Sequence, residues 1–121
     1  MKLTVSIATI FTLILLALIA FPLNPDGSND IALFFGNFHP LVLHIPIGAL
    51  IGVLVLEIVN LIKPQLNLDN GSKILLWFTA ISVVPAVVFG FFLASSGGYN
   101  EEALSFHKWL GLATALLCIW L

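Results

Sequence analysis

The chain has 121 residues, of which 60% are hydrophobic and 8% charged, with a formal net charge of −2. A soluble domain carries about 25% charged residues, so this chain has too few polar side chains to cover a globular surface and must take lipid as its solvent. Without a basic surface it does not bind nucleic acid, and its single cysteine, Cys118, allows neither an intrachain disulfide nor a Cys-x-x-Cys-His haem attachment.

The first apolar run, residues 3–21, fits the roughly 20 residues that a helix needs to cross a bilayer core. The rival is a secretory signal with Lys2 as its basic start. Its apolar run exceeds the ~7–15 residues of a signal core, and Leu18-Ile19-Ala20 is a poor small-x-small cleavage site. A retained span is therefore expected. "NPDGSND", residues 24–30, is a turn cluster. "IALFFGNF", residues 31–38, is apolar but too short to span, and is expected at the interface with Phe34, Phe35 and Phe38 at headgroup level.

A second span is expected over 40–62. Pro40 suits the first helical position, where its missing N–H is not needed, and Pro46 should bend the first turns by leaving the Val42 carbonyl without a donor. "KPQLNLDNGSK", residues 63–73, is a polar loop. The third span, 74–94, should kink at Pro85 and stop at "SSGG". The fourth, 101–121, follows Asn100 as N-cap, with Glu101 and Glu102 favourably placed in the first turn. No polar flank closes "LLCIWL", so the chain is expected to be the N-terminal part of a longer protein. The fold class is all-α: one membrane domain, an up-down transmembrane four-helix bundle.

Lysines set the orientation. Lys2, Lys63 and Lys73 flank one set of ends, while the other two loops hold Asp26, Asp30, Glu101 and Glu102. Positive-inside logic puts the amino terminus and the 63–73 loop in the cytoplasm, in a multi-pass protein of the bacterial inner membrane. Lys108 lies on the wrong side and is expected to snorkel to the outer interface. Glu57 is expected to pair with Lys63 or Lys73, Ser6, Thr9, Thr79 and Ser82 to bond backbone carbonyls or neighbouring helices, and Trp77, Trp109, Trp120 and Tyr99 to sit in interfacial belts.

The histidines carry the functional signal. The second and fourth spans both run inward from the outer face, and His44 and His107 fall at similar depth near that face. Below them the same spacing repeats: His44-x-x-x-Gly48-x-x-x-Gly52 and His107-x-x-x-Gly111-x-x-x-Ala115. Residues four apart share a helix face, so each helix should present an imidazole above a trough with almost no side chains. A flat porphyrin needs such troughs, and two neutral imidazoles from opposing helices are common axial ligands of a b-type haem iron. The alternatives are another metal, or plain helix packing, for which small-x-x-x-small is the ordinary membrane signal. His39 precedes Pro40, which biases it away from helix. It is expected as a cap or interface residue, or else bonding a haem propionate, or joining His44 and His107 in a three-histidine copper or zinc site.

"FHPLVLHIPIG" followed by "FHKWLG" resembles a bacterial membrane-domain family of unknown activity. Its members carry a His-Pro-Leu-x-x-His-x-Pro-Ile element and a later His-x-Trp-x-Gly-like element, and often occur fused to planctomycete-type cytochrome c domains. The resemblance covers roughly residues 33–121 and implies a membrane module near periplasmic electron transfer, with His39, His44 and His107 on the matching positions. The covalent-haem motif of the fused domain is absent from this chain.

The expected function is a membrane electron-transfer subunit with one b-type haem near the periplasmic face, exchanging electrons with a periplasmic cytochrome c domain or a quinol. No nucleophile, acid/base pair or phosphate loop is evident, so no catalysis by this chain alone is expected. The runner-up is a non-catalytic membrane anchor or assembly subunit with structural histidines. A small transporter hinged at Pro46 and Pro85 ranks last, because no charged pair sits at mid-membrane.

Overall fold

In a computed structural model, which describes residues 2–121 and the side chains from residue 4 onward, the chain forms α1 (Lys2–Ala20), α2 (Asp30–Gly36), α3 (His39–Ile62), a 3-10 turn (Pro64–Leu66), α4 (Asp69–Ala94) and α5 (Glu101–Trp120). No strand occurs among the described residues, and the all-helical class is as expected. Three stretches, Asp30–Ile62, Asp69–Ala94 and Glu101–Trp120, are long and apolar enough to cross a membrane, and Thr4–Ala20 is a shorter apolar helix.

Many large apolar side chains point outward and many small ones inward. Leu13, Leu41, Ile51, Leu54, Leu61 and Leu117 are exposed, whereas Ala8, Ala49, Ala80, Ala86, Ala115, Thr79 and Ser82 are buried. Lipid gives no hydrophobic reason to bury leucine between helices, so close backbone approach through small residues takes over. The buried hydroxyls satisfy themselves locally: Thr79 donates to the Leu75 carbonyl at 2.8 Å and Ser82 to the Thr79 carbonyl at 3.1 Å. Thr9 likewise donates to the Val5 carbonyl.

α4 is the hub. α3 lies along it most extensively, α2 and α5 pack on it as well, and α1 rests against α5 and α4. α3 has no substantial contact with α5 or with α1, so α4 separates it from both. A core of Ala8, Leu15, Leu18, Val83, Ala115, Cys118 and Ile119 ties α1, α4 and α5 together.

Two boundaries differ from expectation. α4 starts at Asp69 rather than near residue 74. The Asn60 side chain donates to Asp69 Oδ1 at 2.7 Å and accepts from the Leu68 N–H at 3.1 Å, so the end of α3 caps the start of α4 and shortens the loop. Asn67 completes that loop in the left-handed region, φ 47°. α3 starts at His39, one residue before Pro40. Proline in the first turn removes an N–H that has no helical partner anyway, and that outweighs the bias against helix in the residue before it. Both α3 and α4 run on through their internal prolines, Pro46 and Pro85. Glu57 is exposed, and no ion pair forms among the described residues, so its expected pairing with Lys63 or Lys73 is not made.

The segment expected at the interface forms a short helix docked on the C-terminal end of α4. The Asn29 side chain caps α2 by accepting from the Ala32 N–H at 3.0 Å. Buried Asn24 donates to Ser95 Oγ at 3.2 Å and accepts from the Asn29 N–H at 3.1 Å, fixing the turn before α2 to the α4 C-cap. Gly36 allows the contact: a Cβ there would lie 2.6 Å from the Leu93 backbone nitrogen and 2.9 Å from the Phe92 carbonyl carbon. Backbone cannot rotate out of the way as a side chain can. Gly36→Ala is therefore expected to lift α2 off α4 and to destabilise the protein by about 1–3 kcal/mol, the usual range for overpacking. Thermal unfolding in detergent checks this as a lowered Tm.

Candidate functional site

A cleft of about 580 Å³ opens between α3, α4 and α5 at the end of the bundle where α3 and α5 begin and α4 finishes. α3 contributes His39, Leu43 and Ile47, three residues at four-residue spacing and so on one face. α4 supplies the floor, including Ala86, Val87, Gly90 and Phe91, and α5 supplies His107, Lys108 and Gly111. Tyr99 and Asn100 stand where α5 begins.

His39 is half-buried and held from two sides. Its Nδ1 lies 2.8 Å from the Ala86 carbonyl oxygen. A carbonyl only accepts, so Nδ1 is the donor in this contact, and in a neutral ring Nε2 keeps its lone pair. The other support is Gly90. A Cβ at that position would lie 2.9 Å from Cε1 and 3.1 Å from Nδ1 of His39. The ring therefore rests directly on the α4 backbone, in a space that only glycine leaves open.

His107 projects from the opposite wall. Its ring centroid is 6.4 Å from that of His39, with the two ring planes at 86°. One turn further along α5, a Cβ on Gly111 would meet nothing within 4 Å, so this wall stays open below the imidazole. Lys108, the next residue, holds its ammonium 5.0 Å from the centroid of the Phe91 ring.

His44 is elsewhere. It is exposed, does not line the cleft, and its Nδ1 donates to the Pro40 carbonyl one turn back. The two histidines that face each other are thus His39 and His107, not His44 and His107. Adjacent helical residues point about 100° apart. Once the 39-43-47 stripe looks into the cleft, the 44-48-52 stripe looks past it. Gly48 accordingly has nothing within 4 Å of a Cβ, and a Cβ on Gly52 would lie 3.0 Å from Cδ1 of the Leu75 side chain on α4. No group of three His, Cys, Asp or Glu side chains that could hold a metal ion occurs among the described residues, and the three histidines do not converge on a copper or zinc site.

Sequence reasoning passed over Ala86 and Gly90. Their signal was present: Ala86-x-x-x-Gly90 is the same small-x-x-x-small spacing that drew attention to α3 and α5. A second hollow, of about 300 Å³, lies at the other end between α1, α4 and α5 and includes Lys73, Trp77, Cys118 and Trp120. It is partly closed by a hydrogen bond of 3.0 Å from Trp120 Nε1 to the Thr12 hydroxyl.

No curated protein and no solved structure matches the chain. A family model described as "Predicted membrane protein (DUF2231)" matches residues 36–121, a stretch that holds all three histidines and every wall of the cleft. The chain belongs to this family of predicted membrane proteins.

Proposed function

We propose that the chain is a membrane electron-transfer subunit in which His39 and His107 hold one b-type haem near the periplasmic face. The observation that carries this is the pair of imidazoles 6.4 Å apart across an apolar cleft. Two metal–nitrogen bonds of about 2 Å each, with a ring radius at either end, add up to about that separation. Near-perpendicular ring planes are no obstacle, because each imidazole turns about its own bond to the iron. The cleft volume falls within the roughly 300–1,000 Å³ of ordinary cofactor pockets. Two protein ligands are too few for a closed structural zinc site, which takes four.

The neighbouring residues have clear parts in this account. The Ala86 carbonyl sets the His39 tautomer and aims it, the kind of outer support that metal-binding histidines almost always have. Gly90 lets the imidazole rest against α4, and Gly111 leaves room for a porphyrin edge along α5. Held by His39 and His107, the haem would supply one-electron transfer. The lysines support a cytoplasmic 63–73 loop in the inner membrane and hence a cleft at the periplasmic end. A site near one face does not carry electrons across the bilayer alone. Its partners would be a quinol in the membrane and a periplasmic cytochrome c domain of the kind the family resemblance implies.

One observation favours the plainer alternative, a membrane anchor with structural histidines: the His39–Ala86 bond by itself gives His39 a structural part, tying α3 to α4. The two readings separate by spectroscopy. The purified protein should show a Soret band that sharpens on dithionite reduction. His39→Ala and His107→Ala should each abolish it, and His44→Ala should keep it. A folded, colourless protein from haem-replete cells favours the anchor, and loss of haem in His44→Ala alone returns the ligand role to His44.

Gly90→Ala gives a finer check. Alanine in a helix interior is worth up to about 1 kcal/mol over glycine, but its Cβ displaces the His39 ring. Haem occupancy should fall while helix content, by circular dichroism, stays unchanged.

A further inference from the structure

We infer that Lys108 receives a carboxylate of the cleft's ligand, so that the cleft selects a flat, apolar molecule with an anionic edge. This rests on the haem reading above. Lys108 lines the cleft beside His107, with its ammonium over the Phe91 ring. No ion pair forms among the described residues, so no carboxylate of the chain neutralises it. Glu101, on the same face of α5, lies two turns away, about 10 Å along the axis. Phe91 lends the cation the negative face of its ring, a weaker partner than a carboxylate. A cation held at the edge of an apolar cleft, and positioned by an aromatic ring rather than discharged by an acid, is set to meet an anion from outside the chain.

The cleft is also graded. Tyr99 and Asn100 stand at the start of α5, Lys108 lies about two turns further in beside His107, and Leu43, Ile47 and Val83 line the deeper part. A ligand that fits this gradient has its charge at the level of Lys108 and its apolar body toward the bilayer core. A porphyrin with carboxylates along one edge has that form. A quinone carries no carboxylate and offers Lys108 only neutral carbonyl oxygens, weaker partners than an anion.

The test uses the full chain from haem-deficient cells, reconstituted in phosphatidylcholine nanodiscs that supply no anionic lipid. Haemin and its dimethyl ester, in which both carboxylates are masked, are titrated by Soret absorbance. The wild type should bind haemin about tenfold more tightly than the ester, the scale of one charge-assisted hydrogen bond. Lys108→Met should bring the ratio of the two affinities close to one, and Lys108→Arg should restore the preference. Equal binding of both porphyrins by the wild type, or an unchanged ratio in Lys108→Met, overturns the role of Lys108 and leaves the haem reading standing. Binding of neither porphyrin overturns both.

Discussion

The hydrogen bond from His39 Nδ1 to the Ala86 carbonyl, with Gly90 beneath the ring, fixes the geometry on which the cleft depends. It pins the first turn of α3 to the later part of α4 and so sets the rotation of α3 about its own axis. That rotation turns His39, Leu43 and Ile47 inward and sends His44 and Gly48 toward lipid. One contact therefore positions a helix and chooses the face that it turns to the cleft.

The rest of the bundle follows the same logic of glycine against backbone or ring. Gly36 lets α2 lie on the backbone of Leu93, and Gly90 lets an imidazole lie on α4. In lipid such contacts stand in for the leucine-filled core of a soluble bundle, because apolar surface gains nothing by leaving a hydrocarbon solvent. They also make α4 the main wall of the bundle, including the cleft, and leave α3 and α5 apart on either side of it. A gap between two separated helices, floored by a third, is the natural place for a cofactor in a helical bundle.

Much of this was legible in the sequence. Hydropathy gave the helices, Asn100 gave the start of α5, and "SSGG" gave the end of α4. The start of α4 was missed because Asn60 reaches across from α3 to cap it, a long-range contact that local polarity does not reveal. α2 was legible as apolar but not as docked, since the Asn24–Ser95 contact spans most of the chain. The cleft was half legible. Four-residue spacing shows which residues share a face, and it correctly grouped His44 with Gly48 and His107 with Gly111. It does not show where that face looks. His39 was set aside on the bias that proline imposes on its neighbour, a bias that the first helical turn does not obey.

The central claim is that His39 and His107 together hold one haem iron. Electron paramagnetic resonance of the oxidised protein tests it most directly, because the spectrum reports the axial ligands themselves. Two imidazoles give a low-spin ferric signal, and ring planes near the observed 86° make it strongly anisotropic. The account predicts that signal in the wild type and its loss in His39→Ala. A high-spin spectrum in the wild type, or a low-spin signal that survives His39→Ala unchanged, would contradict it.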